Sequence, residues 1–251
     1  MIFGLSKYPA LSTYISSLRL ILAGSFLMGR SGLSTDENTG HHVTLSAFQM
    51  GDTPVTVELW KEYCVATGML LPEAPPWGLL DDHPVVNVSW NDIMGTDGNG
   101  GFCAWASDLS GYRLTLPTEA QFEFAARVGQ RGQEYHWGNA FNDSKLWCSV
   151  AVERQGTASV YRSTNIFQNA YGLTDMSGNV MQWCYDLYGP YESRTQIDAT
   201  GPSSVSQNSR CVRGVSWSSD EADFFRCTDR SWVTQEFRYD LFGFRLAAGP
   251  G

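Results

Sequence analysis

The chain is punctuated too often to build long regular elements. Its apolar stretches, over residues 43–50, 85–88, 172–176 and 180–185, are short and are closed by Gly, Asn, Asp or Pro. Glycine alone occurs 25 times in 251 residues, and it supplies backbone angles that other residues avoid. Such a pattern permits an α+β domain with a few helices, short strands and much irregular backbone. No internal repeat, charge run or Pro/Ser-rich linker divides the chain. A single domain over residues 20–251 is therefore expected, preceded by an N-terminal segment over residues 1–19.

Three segments carry helix signals. Thr56 can cap a helix that presents Leu59, Trp60, Tyr63 and Cys64 on one face, with Gly68 as its stop. Ser89-Trp90-Asn91-Asp92 reads as a capping box with Asp in place of Glu. The helix it opens meets a Gly-rich break over residues 95–101 and resumes from Phe102 to Leu109. Thr118-x-x-Gln121 is a cleaner box, followed by Phe122, Ala125 and Ala126 at core spacing. Residues 16–29 resemble the end of an export signal. The apolar run is short, however, and Ser25 stands where a lipidated cysteine would have to be. A core strand leading into a turn at Gly24 fits better.

Charge narrows the partner. A net charge of −9 argues against nucleic acid, whose phosphates need clustered Lys and Arg. No window of about eighteen apolar residues is present to span a membrane. Cys64, Cys103, Cys148, Cys184, Cys211 and Cys227 form no C-x-x-C pair and read as small buried hydrophobes, with a disulfide between some pair left open.

The C-terminal segment departs from this pattern. Arg213-Gly214, Ser216-Trp217, Arg226, Arg230, Arg238 and Gly243-Phe244-Arg245 make a regular frame. Between its members Trp232, Val233, Phe237, Tyr239 and Leu241 are scattered among Asp229, Ser231, Glu236 and Asp240. A core strand or helix would show a period of about two or 3.6. Its absence implies surface loops, and apolar groups gathered on a surface mark a docking place.

Several blocks occur in a telling order: Gly24-Ser25-Phe26-Leu27-Met28-Gly29, His42-Val43-Thr44-Leu45, Pro54-Val55-Thr56 and His83-Pro84-Val85-Val86-Asn87-Val88-Ser89-Trp90. Arg113-Leu114-Thr115-Leu116-Pro117-Thr118-Glu119-Ala120, Trp137-Gly138-Asn139, Tyr171-Gly172-Leu173-Thr174-Asp175-Met176-Ser177-Gly178-Asn179 and the closing Gly243-Phe244-Arg245 follow. Together they resemble the formylglycine-generating-enzyme/sulfatase-modifying-factor family. The resemblance implies a C-type-lectin-like fold of two helices and small twisted sheets with long loops. It also implies a test for catalysis. Active members hold copper with a cysteine pair just after the Gly-Gly-Ser-Trp block, because soft Cu(I) asks for thiolates. Here that stretch is Ser218, Ser219, Asp220, Glu221, Ala222, Asp223, Phe224 and Phe225. Cys227 lies in a later block that the resemblance makes structural. No catalytic residue is expected, and a degenerate or unorthodox formylglycine-generating oxidoreductase is the alternative. A second enzymatic branch, the iron-dependent sulfoxide synthases, needs three histidines in an added helical domain. His41, His42, His83 and His136 are read instead as structural.

The tail is most similar to the variable proteins of bacterial diversity-generating retroelements, which display a mutable face on this fold. That resemblance implies a receptor- or adhesion-type protein with a variable segment over about residues 210–246. Its ligand contacts would be Ser219, Asp220, Asp223, Phe224, Asp229, Ser231, Trp232, Val233, Phe237, Tyr239, Asp240 and Leu241. Aromatic residues bring contact area at low entropy cost, and Ser and Asp adapt their hydrogen bonds. Gln235 and Val215 depart from the usual Pro and second Gly. Arg213 and Arg245 are expected to be structural, their forks tied to carboxylates or carbonyls. The expected partner is a macromolecule, most simply a protein, met by a monomer at the cell surface or outside the cell. A scaffold with no selectable face is the third reading.

No cofactor is expected. The resemblance also brings a candidate calcium site, near Gly178-Asn179-Val180-Met181-Gln182-Trp183, where Gln182 removes one negative charge. Asp97-Gly98-Asn99-Gly100 reads as a surface loop, since it lacks the spaced carboxylates of an EF-hand. Glu119 and Glu123 are expected to be capping and buried-pair residues, not an acid and a base.

Overall fold

The structure, a computed structural model, describes residues 4–30, 40–96, 100–129, 132–150, 153–162, 164–204 and 208–249. Helices form where the caps allow. Helix α1 (Pro9–Ser16) begins with proline at its first turn, and the Glu62 carboxylate accepts from the Ala10 and Leu11 amides. Thr56 Oγ1 accepts from Leu59 N to start α2 (Val57–Thr67), and Gly68 ends it in the left-handed region. The Ser89/Asp92 box opens α3 (Trp90–Met94), and α4 (Gly101–Ser110) resumes beyond the glycine break. Residues 97–99 of the sequence-read surface loop lie outside the described residues. The Thr118/Gln121 box opens α5 (Glu119–Ala126), and α6 (Thr164–Phe167) is a single turn.

Eleven short strands are described, in three sheets. One sheet joins the two ends of the fold in the order β1-β4-β11-β5, from β1 (Arg19–Ile21), β4 (Phe48–Met50), β5 (Leu114–Thr115) and β11 (Ala247–Ala248). A second runs β2-β3-β7, from β2 (Gly24–Met28), β3 (His41–Leu45) and β7 (Gln196–Ile197). The third carries the tail in the order β10-β6-β8-β9, from β6 (Met181–Leu187), β8 (Ser209–Arg213), β9 (Arg230–Thr234) and β10 (Phe242–Gly243). This is the C-type-lectin-like α+β arrangement the family resemblance implies, and no helix among the described residues is long and apolar enough to cross a membrane.

Several expectations need correction. The packed unit reaches back before residue 20, because Leu11 and Tyr14 of α1 are core residues. The Tyr14 hydroxyl accepts from Leu246 N at 2.9 Å and donates to Thr53 O at 3.2 Å, tying the first helix to the last strand. Residues 43–50 divide at Ser46-Ala47 between two sheets. Residues 85–88 and 172–176 form no strand, since Asn87 and Asp175 sit at positive φ (59 and 57) and break the pleat. Gly24 opens β2 instead of closing a core strand, and β1 before it is an edge strand.

The tail is not all loop. Residues Arg230–Thr234 form β9, which pairs antiparallel with β8 from Arg213↔Arg230 to Ser209↔Thr234. An edge strand needs a partner on one side only and buries little of either face, so its residue types stay irregular. Aperiodicity there marks an edge, not the lack of a strand.

Trp60 stacks on Phe102 with centroids 5.1 Å apart, and Phe244 meets both rings edge-on. Phe26, Phe122 and Phe124 build a second cluster with Cys184, Cys211 and Cys227. All six cysteines are buried free thiols, consistent with small core hydrophobes.

Candidate functional site

Beneath the tail lies a buried charge network. Glu119, in the first turn of α5, receives a two-pronged contact from Arg230 of β9, with Nε and Nη2 each 2.7 Å from a carboxylate oxygen. Arg213 of β8 reaches Glu119 at 3.1 Å and Glu123 at 2.5 Å. Its Nη1 donates to the carbonyls of Cys227 and Asp229, pinning the chain just before β9. Glu119 and Glu123 are thus the buried-pair residues that the sequence suggested. Burial alone would raise the Glu119 carboxyl, but Arg230 and Arg213 outweigh it and pull it down to about 2.

Asp186 behaves in the opposite way. Its Oδ2 accepts from the Glu119 amide at 2.8 Å. Burial, then the Glu119 charge, pushes its carboxyl from the ordinary 3.8 up to about 8. The stability linked to this raised group is full below the ordinary value and is lost as pH rises through about 8. Asp186→Asn, which keeps the acceptor oxygen, is expected to remove that loss, so that the variant gains stability relative to the parent as pH rises from 5 to 8. Urea unfolding at pH 5 and pH 8 checks this; a variant as pH-sensitive as the parent would show that Asp186 is ionised in the fold.

The other frame arginines hold the tail at further points. Arg245 is fully buried and donates to Gln182 Oε1 at 2.6 Å and to the carbonyls of Gly51, Thr174 and Asp175. Arg226 bridges Glu134, at 2.9 Å, and Asp223. Arg238 forks onto Asp92 at 2.8 and 2.6 Å, so the capping box of α3 also anchors the loop after β9.

Between these anchors the proposed contacts divide by exposure. Trp232, Phe237 and Tyr239 are 46%, 42% and 51% exposed, and Phe224, Asp220 and Asp223 are exposed with them. Trp232 lies beside Tyr188 with centroids 6.2 Å apart. Phe237 and Tyr239 neighbour each other at 6.0 Å, and Phe237 also packs edge-on against buried Phe242. Ser219, Asp229, Ser231 and Asp240 are half-buried. Trp217 Nε1 donates to Asp240 O at 3.4 Å, which ties the 217–219 stretch to the later loop. Val233 and Leu241 are half-buried too, and each also leans on the main core. Sequence reasoning missed Tyr185 and Tyr188, which β6 and its continuation place near the tail, and Arg210, whose guanidinium lies 3.6 Å over the Trp90 ring. Tyr185 stood inside a stretch read only as a strand.

The donor sets for metals are otherwise engaged. Ser218 and Ser219 offer hydroxyls where Cu(I) needs thiolates, and burial pushes the Cys227 thiol up to about 12. Near residues 175–182 the Asp175 carboxylate takes both prongs of Arg162. The Asn179 amide is shared between Ala158 and Asp175, and Gln182 between Arg245 and Asp175 O. A guanidinium already supplies the positive charge that calcium would bring, so these residues do not fit the ion. Among the described residues no group of three or more His, Cys, Asp or Glu side chains is placed to hold a metal. Excess EGTA is accordingly expected to move the melting temperature by less than about 1 °C, since only a bound ion links stability to chelation. A larger drop would restore calcium.

Comparison with known proteins bears on this arrangement. A family model described as a sulfatase-modifying factor enzyme 1-like domain matches residues 10–249. The inactive C-alpha-formylglycine-generating enzyme 2 of Mus musculus is 34% identical over 212 residues, covering 79% of this chain and 57% of that protein. The formylglycine-generating enzyme of Streptomyces coelicolor is 32% identical over 179 residues, covering 66% and 52%. The chain thus spans little more than half the length of these curated relatives. Among solved structures, Treponema denticola variable protein 1 superposes with a TM-score of 0.76 at 25% identity, covering 93% of this chain and 95% of that one. PvdO from Pseudomonas aeruginosa gives a TM-score of 0.70 at 25% identity, covering 93% and 94%.

Proposed function

We propose that this chain, which belongs to the sulfatase-modifying factor enzyme 1-like family, is a non-catalytic binding protein whose C-terminal segment displays a diversified face to a protein ligand. One observation carries the reading: the tail sorts its side chains into two sets. The arginines at 213, 230 and 245 are sunk into carboxylates and carbonyls, while Phe224, Trp232, Phe237 and Tyr239 between them face solvent. Large exposed aromatics on a segment this firmly anchored serve contact, not folding. The likeness to a variable protein and to a relative described as inactive supports the same reading. The contact set is Ser219, Asp220, Asp223, Phe224, Asp229, Ser231, Trp232, Val233, Phe237, Tyr239, Asp240 and Leu241, with Val233 and Leu241 also leaning on the core. The protein acts as a monomer, outside the cell or on its surface, and needs neither metal nor nucleic acid.

The test is to sequence the gene region encoding residues 210–246 across a population of the source organism. Substitutions gathered at the contact positions, with Arg230, Arg238 and Gly243-Phe244-Arg245 fixed, are the expected result. A uniform segment would overturn it. The competing enzymatic reading requires Cu(I) binding and oxygen uptake with a cysteine peptide, and both are expected to be null.

A further inference from the structure

Beside Arg238 the fold leaves a groove of ≈ 540 Å³, lined among others by Trp60, Tyr63, Met69, Leu70, Asp92 and Arg238. That volume falls within the ~300–1,000 Å³ usual for ligand sites. Trp60 and Tyr63 come from the buried face of α2. Past Gly68 the chain runs on through Met69, Leu70 and Leu71, all exposed, with Leu70 90% open to solvent. Folding gains nothing from three consecutive large apolar side chains in water.

The tail meets the groove at Arg238. Arg238 is forked onto Asp92 there. The carbonyls of Tyr239 and Gln235 accept from Asn87 N at 3.2 Å and Asn91 N at 3.3 Å. Of the proposed variable segment, only the frame residue Arg238 is among the residues lining the groove, and its exposed neighbours Phe237 and Tyr239 stand beside it. Polar groups on the rim set the charge. Arg238 neutralises Asp92, whereas Glu73 is exposed on the rim and pairs with no cation among the described residues. The groove is thus largely apolar, with the Glu73 carboxylate left unneutralised on its rim.

We propose that this groove receives an aliphatic or aromatic side chain of the protein ligand, with a lysine or arginine next to it in the ligand chain. The apolar side chain would displace water from Met69, Leu70 and Leu71, and the base would meet Glu73. The proposal rests on the binding reading above and extends it: the loop over residues 68–73 supplies a common anchor, and the exposed rings of Phe237 and Tyr239 next to Arg238 supply the choice among ligands.

A phage-displayed library of random dodecapeptides, panned on the full chain, tests it. Two variants are compared with the parent after melting curves have shown them folded: Met69→Ser with Leu70→Glu in the groove, and Phe237→Ser with Tyr239→Ser in the tail. The parent should enrich peptides that carry Leu, Ile or Phe beside Lys or Arg. Their binding should fall at least about tenfold on each variant, and less steeply on Glu73→Gln. No enrichment, enrichment of acidic peptides, or peptides that bind the groove variant as well as the parent would overturn the proposal. Peptides lost on the tail variant but kept on the groove variant would remove the groove and leave the binding face. Peptides lost on the groove variant but kept on the tail variant would keep the groove and remove the diversified-face reading.

Discussion

Glu119→Gln is expected to cost about 3–5 kcal/mol, the usual effect of stranding buried charge. Glu119 accepts two hydrogen bonds from Arg230, one from Arg213, and further contacts from the Tyr191 hydroxyl and the Cys211 thiol. An amide offers one oxygen to these donors and turns an N–H toward the rest. Arg230 would lose its only ion-pair partner among the described residues, and Arg213 would keep Glu123 alone. The pH dependence separates this charge effect from a packing effect. The Glu119 carboxyl is held at about 2, below its ordinary 4.5. Its contribution is therefore present above pH 4.5 and is lost as pH falls toward 2. Urea unfolding should show the variant much weaker than the parent at pH 6 and closer to it at pH 3. A constant difference at both values would mean that shape, and not charge, holds the network.

Replacing Trp232, Phe237 and Tyr239 together by Ala should give the opposite result: little change in stability and a large loss of binding. The three side chains are about half open to solvent, and surface substitutions usually cost within about 0.5 kcal/mol each. Phe237 gives up one edge contact to Phe242 and Trp232 one contact to Tyr188, so the sum should stay near 1 kcal/mol. In a central contact each ring is worth about 2 kcal/mol or more, and peptides selected on the parent should bind at least a hundredfold more weakly. Unfolding curves and peptide titrations on one preparation decide it. A loss of several kcal/mol in stability would mark the rings as core, and unchanged peptide binding would mark the tail as a passive surface.

These contrasts were legible in the sequence to different depths. The capping boxes at Ser89 and Thr118 announced their helices correctly, because a cap is a local bargain between a side chain and the next three amides. Arg213 and Arg245 stood out as structural because their spacing was regular. Their partners did not, since Glu119 and Gln182 are distant in the chain and are brought up by α5 and β6. Val215, noted only as a departure from glycine, takes a left-handed backbone (φ 51) that a β-branched side chain strains to adopt. The strand at Arg230–Thr234 was hidden because an edge position imposes no strict alternation. Val233 and Leu241 looked like their exposed neighbours, and only packing shows that they also lean on the core. The groove was missed because Met69, Leu70 and Leu71 follow a helix whose apolar residues are core, and nothing local says where the core ends.

The backbone ladder between β8 and β9 has a consequence for how such a protein can change. Its hydrogen bonds are made by main-chain atoms and hold in register whatever side chains project from Ser231 to Thr234. The guanidinium of Arg230 locks one end of that ladder from beneath. Variation and foldability are thereby carried by different atoms. A pool of sibling chains, each with its own set of residues at these positions, would melt as one transition while recognising many targets. Such a lineage can explore without first having to be made sturdier.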